Sequence, residues 1–194
     1  TAKLELAAKR IAFGKLLNCG QTCVAPDYIL VERSVKDEFL VYLKKWIVRM
    51  YGADATENDA YVKMINQKHF DRVTGLIDPE KVIFGGGRNE RTMQIQPTIL
   101  DDVTAEDAVM QEEIFGPIFP ILSVDSMAEA EEFICKREKP LALYLFTQNK
   151  ALAERFLRYV PFGGGCDYPS GNKQNGLWWC WRQRHGQLSR KEKL

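Results

Sequence analysis

The feature that most constrains the fold is an alternation of short apolar runs with longer stretches in which apolar residues recur at helical spacing. The runs YILVE (28–32), IFPILSV (118–124) and LALYLF (141–146) are rich in β-branched, aliphatic and aromatic residues, as strands are. An apolar stripe over residues 39–50 indicates the buried face of a helix. Strands that alternate with helices predict an α/β domain with a largely parallel sheet flanked by helices.

Individual elements are predicted from these patterns and from the residues that begin helices. Two capping boxes, Ser34 with Asp37 and Ser126 with Glu129, mark helix starts, because a serine hydroxyl accepts the backbone N–H three residues later. Helices are predicted over residues 4–20, 34–50, 67–77, 126–133 and 150–159. Strands are predicted over residues 28–32, 81–84, 97–100, 118–124 and 141–146, the last as a buried strand.

Composition excludes several classes of protein. The chain has 194 residues, of which 45% are hydrophobic and 27% charged, so it has enough apolar side chains for a core and is not globally disordered. It has no apolar run of about 18 residues, which a membrane-spanning helix needs. Its net charge of +1 gives no overall basic field, and no nucleic-acid partner is predicted.

The cysteines predict free thiols and no metal site. Five cysteines are scattered through a chain without a secretory signal, which favours reduced thiols and an intracellular, cytoplasmic location. Cys19 and Cys23 are spaced C-x3-C, and His69 and His185 are the chain's two histidines. This is not the ligand spacing of a zinc site, so no metal is expected.

The run NCGQTCVAP (residues 18–26) is the most informative one for chemistry. A cysteine that follows a helix, next to a glycine and before Pro26, lies where the chain turns. Backbone N–H groups at such a turn can lower a thiol pKa and can donate hydrogen bonds to an oxyanion. From these residues alone, a small buried cysteine is the favoured interpretation of Cys23, and nothing favours or excludes Cys19.

Three further runs are informative in combination. MQEEIFGP (110–117) places paired carboxylates before an aromatic residue and a Gly-Pro turn, which by itself is also the composition of a solvated loop. REKPLALYLF (137–146) predicts a strand after a proline, and INQKHF (65–70) lies at the start of a predicted helix. Together with NCGQTCVAPDYIL, these runs resemble the aldehyde dehydrogenase superfamily, most closely its class 3 branch of fatty and aromatic aldehyde dehydrogenases. Their order and separations match the family, and the resemblance covers about residues 5–166. It implies that residues 1–166 are a portion of the catalytic domain.

The resemblance implies roles for three residues. Cys23 aligns with the thiolate that attacks an aldehyde to form a thiohemiacetal, and its backbone N–H forms part of the oxyanion hole. Hydride transfer to NAD or NADP then leaves a thioester, which water hydrolyses to the carboxylic acid. Glu113 aligns with the carboxylate that holds the nicotinamide ribose, and Phe115 with the aromatic residue that packs nearby. Cys19 is expected to be a neighbour.

Other parts of the family pattern are not matched by these residues. The NAD(P)-binding domain, the general-base glutamate and an oxyanion-hole amide are expected to be mostly absent from the chain, so the fold is expected to be incomplete at both ends. The family is typically homodimeric, but its dimerising C-terminal segment is expected to be missing here. The chain is therefore predicted to be inactive alone, and the alternative function is a non-catalytic binding partner of a full-length paralogue.

Residues 167–194 differ from the rest of the chain. They hold six Lys or Arg against two Asp or Glu, and three of the four tryptophans. Such a segment could bind nucleic acid or a membrane surface, but codon arithmetic favours another origin. Reading Trp178, Trp179, Cys180 and Trp181 one base later forces Gly-Gly-x-Gly, which resembles the family's C-terminal GFGGVG. We therefore interpret residues 167–194 as a frameshifted tail.

Overall fold

The structure is a computed structural model that describes residues 2–167. Within that range the chain forms two compact units. The first contains residues 4–130, and the second contains residues 131–167 together with residues 2 and 3. The predicted frameshifted tail, apart from Asp167, lies outside the described residues.

A mostly parallel sheet forms the centre of the first unit. The unit's strands are β1 (Ile29–Glu32), β2 (Val82–Phe84), β3 (Arg88–Asn89), β4 (Gln94–Ile95), β5 (Thr98–Leu100) and β6 (Ile118–Val124). Four of them form a sheet in the order β1–β6–β5–β2, in which β6 is parallel to both β1 and β5 and β2 is antiparallel to β5. Strands β3 and β4 form a separate hairpin that the apolar pattern did not predict. The predicted α/β class and the largely parallel sheet are confirmed.

The central strand shows why an unbroken apolar run predicts a buried strand. β6 lies between two parallel neighbours, and every one of its residues except Ser123 is buried. Because both faces of the sheet are covered there, the strand does not alternate between apolar and polar residues. The prediction for residues 118–124 is confirmed to the residue.

Four helices belong to the first unit or begin in it: α1 (Leu4–Leu16), α2 (Lys36–Tyr51), α3 (Gln67–Gly75) and α4 (Met127–Cys135). α1 and α2 pack against each other, and their apolar stripes bury side chains such as Ile11, Leu16, Leu43 and Ile47. The stripe over residues 39–50 therefore forms core, as predicted. α3 ends at Gly75, two residues before its predicted end.

The two predicted capping boxes have different outcomes. At α4, the Ser126 hydroxyl accepts the Glu129 N–H at 3.2 Å as predicted, while the Glu129 carboxylate accepts the N–H of Asp125. At α2 the prediction is wrong, because a 3-10 turn over Arg33–Val35 precedes the helix and Val35 occupies the N-cap with no side-chain hydrogen bond. An N-cap residue needs an extended backbone, and Ser34 cannot adopt one because it lies inside the 3-10 turn.

The second unit contains a strand–helix–strand arrangement of β7 (Ala142–Leu145), α5 (Lys150–Tyr159) and β8 (Gly164–Asp167). β7 and β8 are parallel, and α5 buries Ala153 and Phe156. The strand predicted at residues 141–146 is present, but its predicted burial is wrong: of the β7 residues, Leu145 alone is buried. β7 pairs with a single strand among the described residues, so its side chains are only half-covered. Among residues 2–167, no helix is both long and apolar enough to span a bilayer.

Candidate active site

The segment that carries Cys19 and Cys23 departs sharply from helical geometry. α1 ends at Leu16, and the 3-10 turn over Leu17–Gly20 contains two residues in the left-handed region, Asn18 (φ 52°) and Cys19 (φ 56°). The helix predicted to reach Gly20 is therefore four residues shorter, and Cys19 and Cys23 are not joined by a helical turn. Non-glycine residues adopt this conformation at an energetic cost, and such positions concentrate at functional sites.

Cys23 lies at the tip of a tight turn. The Ala25 N–H donates to the Thr22 carbonyl at 2.9 Å, which makes Cys23 and Val24 the two central residues of a β-turn. Cys23 is a free, exposed thiol. Its backbone N–H donates to no acceptor among residues 2–167, so it is available to a group that approaches the turn.

Cys19 has the opposite environment. Its side chain is fully buried, and its S–H donates to the Tyr61 hydroxyl at 3.4 Å, which in turn donates to the Ile95 carbonyl at 2.8 Å. Burial raises the pKa of the Cys19 thiol to about 11, although the hydrogen bond to Tyr61 and the charge of Lys15 act against this. Because the thiolate is the nucleophilic form, Cys19 is an inert thiol at neutral pH.

The carboxylate-rich segment (residues 110–117) packs directly against the cysteine segment (residues 18–26). A Cβ atom placed on Gly20, whose φ is 75°, would lie 2.3 Å from the Gly116 carbonyl oxygen. A Cβ atom on Gly116 would in turn lie 2.6 Å from a methyl group of Val73 on α3. Because both residues are glycines, the backbones of the two segments can touch, and Gly116 can lie against the Val73 side chain. The two motifs, which are far apart in sequence, are therefore in direct contact.

Hydrogen bonds hold the peptide between Glu113 and Phe115 from two sides. The Ile114 N–H donates to a carboxylate oxygen of Asp27 at 3.1 Å. The Arg72 guanidinium, which projects from α3, donates to the Ile114 carbonyl at 2.5 Å, and also to the Glu113 carbonyl and the Glu112 carboxylate. Since Ile114 is fully buried, the residues on either side of it are presented by a fixed peptide.

Glu113 and Phe115 both point away from the core. Phe115 is 36% exposed and has a φ of 50°, which makes it another left-handed non-glycine residue in the site. The Glu113 carboxylate accepts no hydrogen bond from the described residues. Burial raises the pKa of Glu113, as does the nearby negative charge of Asp27, whereas the charges of Lys15 and Arg72 act in the opposite direction.

A buried lysine lies beneath these segments. The Lys15 side chain is 1% exposed, and its ammonium group is 3.7 Å from the Asp27 carboxylate and 3.4 Å from the Asp27 carbonyl. Burial lowers the pKa of Lys15 to about 8, although the negative charge of Asp27 stabilises the protonated form. Asp27 thereby joins α1 to the Ile114 peptide.

The remaining motifs lie in two places. Asn66, from the INQKHF run, caps α3 by accepting the His69 N–H at 2.9 Å, and α3 in turn carries Arg72. The REKPLALYLF run contributes β7 in the second unit. Among the described residues, no group of three or more His, Cys, Asp or Glu side chains is arranged to hold a metal ion.

Residues 1–165 match the sequence profile of the aldehyde dehydrogenase family. The chain is 48% identical over 161 residues to the bovine (Bos taurus) dimeric NADP-preferring aldehyde dehydrogenase, covering 83% of this chain and 67% of that protein. It is 47% identical over 161 residues to aldehyde dehydrogenase family 3 member A2 of Rattus norvegicus, covering 83% and 33%. It also resembles a substrate-bound structure of AldH from Staphylococcus aureus, with a TM-score of 0.84 and 46% identity, covering 86% of this chain and 37% of that one.

The chain therefore belongs to the aldehyde dehydrogenase family, a family of oxidoreductases. Its similarity to family 3 relatives confirms the class 3 branch that the motifs predicted. The chain spans about a third of the length of curated relatives such as the rat family 3 member A2 protein.

Sequence reasoning missed several residues that shape the site. Lys15 and Arg72 carry no local signal, because a cation on an amphipathic helix is ordinarily solvent-exposed. Gln21 and Asp27 lie within the NCGQTCVAPDYIL run, so their positions were available. The partners that tie them to other segments, Lys63 and Ile65 for Gln21 and Ile114 for Asp27, lie more than 40 residues away in sequence.

Proposed function

We propose that this chain carries the nucleophile segment of an NAD- or NADP-dependent aldehyde dehydrogenase and that Cys23 is the nucleophile. The observation that carries the proposal is the contrast between the two neighbouring thiols. Cys23 is exposed at the tip of a turn, whereas Cys19 is buried and has a raised pKa. The substrate class, an aldehyde, is taken from the family.

In the proposed reaction, the Cys23 thiolate attacks the aldehyde carbonyl carbon. A carbon–sulfur bond forms while the carbonyl π electrons move to oxygen, which becomes an oxyanion. The Cys23 backbone N–H donates to this oxygen, since it has no acceptor among the described residues. The product of the step is a thiohemiacetal on Cys23.

Oxidation and hydrolysis complete the proposed cycle. NAD or NADP, when bound, accepts the hydride that leaves the substrate carbon. Cys23 then carries a thioester, and attack by water breaks the carbon–sulfur bond and releases the carboxylic acid and the thiolate. The balanced reaction consumes one aldehyde, one water and one oxidised dinucleotide, and yields one acid, one reduced dinucleotide and one proton.

Glu113 and Phe115 are proposed to contact the dinucleotide. A ribose offers two hydroxyl donors, and the Glu113 carboxylate has acceptor capacity that no described residue uses, so the two fit. Phe115 has a left-handed backbone, and its exposed ring offers an apolar surface beside the Glu113 carboxylate. NAD and NADP share the nicotinamide ribose, so both are candidates; the bovine relative is named NADP-preferring.

The 194-residue chain alone is expected to show no dinucleotide-dependent aldehyde oxidation above background, because the resemblance places the general base in a part of the family pattern that these residues do not match. The free thiols of Cys19, Cys23 and Cys135 support the proposed cytoplasmic location, since a reducing compartment keeps thiols free. The predictions about the dimerising segment and the frameshifted tail concern residues outside the described range and stay predictions.

The nucleophile can be tested without the dinucleotide. A thiolate that attacks p-nitrophenyl acetate releases p-nitrophenolate and retains an acetyl thioester, so a burst of colour and a mass adduct report the acylated residue. We expect the adduct on Cys23, its loss in Cys23→Ser and its retention in Cys19→Ser. In a full-length protein that contains this chain, Cys23→Ser should likewise abolish aldehyde oxidation and Cys19→Ser should not.

Acylation of Cys19 in the folded chain, or a burst that persists in Cys23→Ser, would contradict the assignment. Absence of acylation combined with stable binding to a full-length paralogue, measured by analytical ultracentrifugation, would instead support the non-catalytic alternative.

A further inference from the structure

The Gln21 side chain fastens the cysteine segment to a neighbouring stretch of backbone. Its amide oxygen accepts the Ile65 N–H at 2.8 Å, and its amide nitrogen donates to the Lys63 carbonyl at 3.1 Å and to the Asn18 carbonyl at 3.2 Å. One side chain therefore uses both of its N–H donors and its carbonyl oxygen. All three partners are backbone groups.

The stretch that receives Gln21 is itself fixed. The Met64 N–H donates to the Met93 carbonyl at 2.8 Å, and the Gln94 side chain donates to the Tyr61 carbonyl at 2.8 Å. Residues 61–65 thus form a stable wall against which Gln21 can hold the segment.

The same wall covers Cys19. Tyr61, which is 2% exposed, accepts the Cys19 S–H, so the buried thiol and the Gln21 amide contact neighbouring parts of one stretch. Gln21 lies between Cys19 and Cys23 in sequence, two positions before the Cys23 turn. Loss of the Gln21 hydrogen bonds would loosen the attachment of both Cys19 and Cys23 to residues 61–65.

We infer that Gln21 is a positioning residue that decides which of the two thiols reacts. Its three hydrogen bonds keep Cys19 covered by Tyr61 and fix the Cys23 peptide, whose N–H faces the approaching carbonyl. The inference rests on the proposed function, in which Cys23 is the nucleophile.

The test is the rate of alkylation of each cysteine by iodoacetamide in the 194-residue chain, followed by fragment-resolved mass spectrometry. Gln21→Met removes all three hydrogen bonds at nearly constant size, and Gln21→Glu keeps the acceptor for Ile65 but loses both donors. Gln111→Met is the matched control, because the Gln111 amide also donates to two backbone carbonyls, those of Ala105 and Asp107. The exposed thiol of Cys135 is the internal reference.

In Gln21→Met, we expect the ratio of the Cys23 rate to the Cys19 rate to fall about tenfold or more, since opening of the segment becomes easier. Gln21→Glu should lie between Gln21→Met and wild type, and the Cys135 rate should stay within about twofold. Acylation of Cys23 by p-nitrophenyl acetate, which needs a placed oxyanion donor, should fall about tenfold, while its alkylation, which needs none, should not. General loosening would not separate these two rates.

An unchanged rate ratio in Gln21→Met and Gln21→Glu would overturn the inference, as would the same loss of selectivity in Gln111→Met. Equal changes in acylation and alkylation of Cys23 would also overturn it. The proposed function fails by a different result: in the wild-type chain, Cys19 rather than Cys23 would be the faster thiol.

Discussion

Lys15 offers a quantitative test of the electrostatics under the site. Its ammonium group is buried on α1, and the carboxylate of Asp27, which is about one-third exposed, lies 3.7 Å away. The pKa of Lys15 is lowered from 10.5 to about 8, so the surroundings disfavour the charged form even with Asp27 present. At 1.36 kcal/mol per pH unit, this lowering corresponds to a cost of about 3 kcal/mol for folding with the lysine protonated.

The pH dependence has a definite sign. In the unfolded chain Lys15 keeps its proton up to about pH 10.5, whereas in the folded chain it loses the proton above about pH 8. Between these values the unfolded state binds more protons, so the free energy of unfolding rises with pH. The contribution of Lys15 is unfavourable below pH 8 and disappears as the pH approaches 10.5.

Lys15→Met should therefore raise the free energy of unfolding at pH 7 by about 1–3 kcal/mol, because a neutral side chain of similar length removes the buried charge and the partly exposed Asp27 carboxylate keeps access to water. Urea denaturation at pH 7 and pH 10 measures this, and the gain should shrink at pH 10. Lys68→Met, an exposed lysine on α3, is the control and should change stability by less than about 0.5 kcal/mol. A loss of 3 kcal/mol or more in Lys15→Met would show instead that the ion pair with Asp27 stabilises the fold.

Two further substitutions test the contacts between the segments. Gly20→Ala should cost about 2–4 kcal/mol of unfolding free energy in urea denaturation, since the new Cβ meets the Gly116 carbonyl and the backbone is left-handed; a cost below 1 kcal/mol would contradict the contact. Arg72→Met should speed amide hydrogen exchange at Ile114 about tenfold, because the peptide group that carries the Ile114 N–H loses the guanidinium donor to its Glu113 carbonyl. Arg88→Met, which removes an exposed pair with Glu90, should leave that exchange unchanged, and equal effects would refute the role of Arg72.

Much of the fold is predictable because the pattern of apolar residues indicates which side chains are buried. β6 is an unbroken apolar run, and it is the central strand. The α2 stripe was equally clear, since amphipathic helices bury one face. Two local predictions were wrong. Ser34 does not cap α2, because it lies in a 3-10 turn that precedes the helix. β7 is only half-covered, because it pairs with one strand among the described residues.

The candidate site residues were predicted from sequence motifs, whereas their geometry comes from the structure. The motifs named Cys23, Glu113 and Phe115, and the structure brings their two segments together through the Gly20–Gly116 contact. No sequence pattern predicts that Cys19 is left-handed and buried, because that depends on Tyr61 and the wall around it. Long-range hydrogen bonds of this kind are set by the tertiary structure.

The contacts around Asp27 suggest why the chain keeps a buried charge that costs stability. A hydrophobic residue at position 15 would pack without that cost, yet it could not hold Asp27, whose carboxylate fixes the Ile114 peptide and hence the residues on either side of it. The strained φ of Phe115 needs surroundings that over-determine it, and the Asp27 and Arg72 hydrogen bonds supply them. We expect Lys15→Met to be both more stable and faster in amide hydrogen exchange at Ile114, because the side chain that lowers stability is the one that holds Asp27 in place.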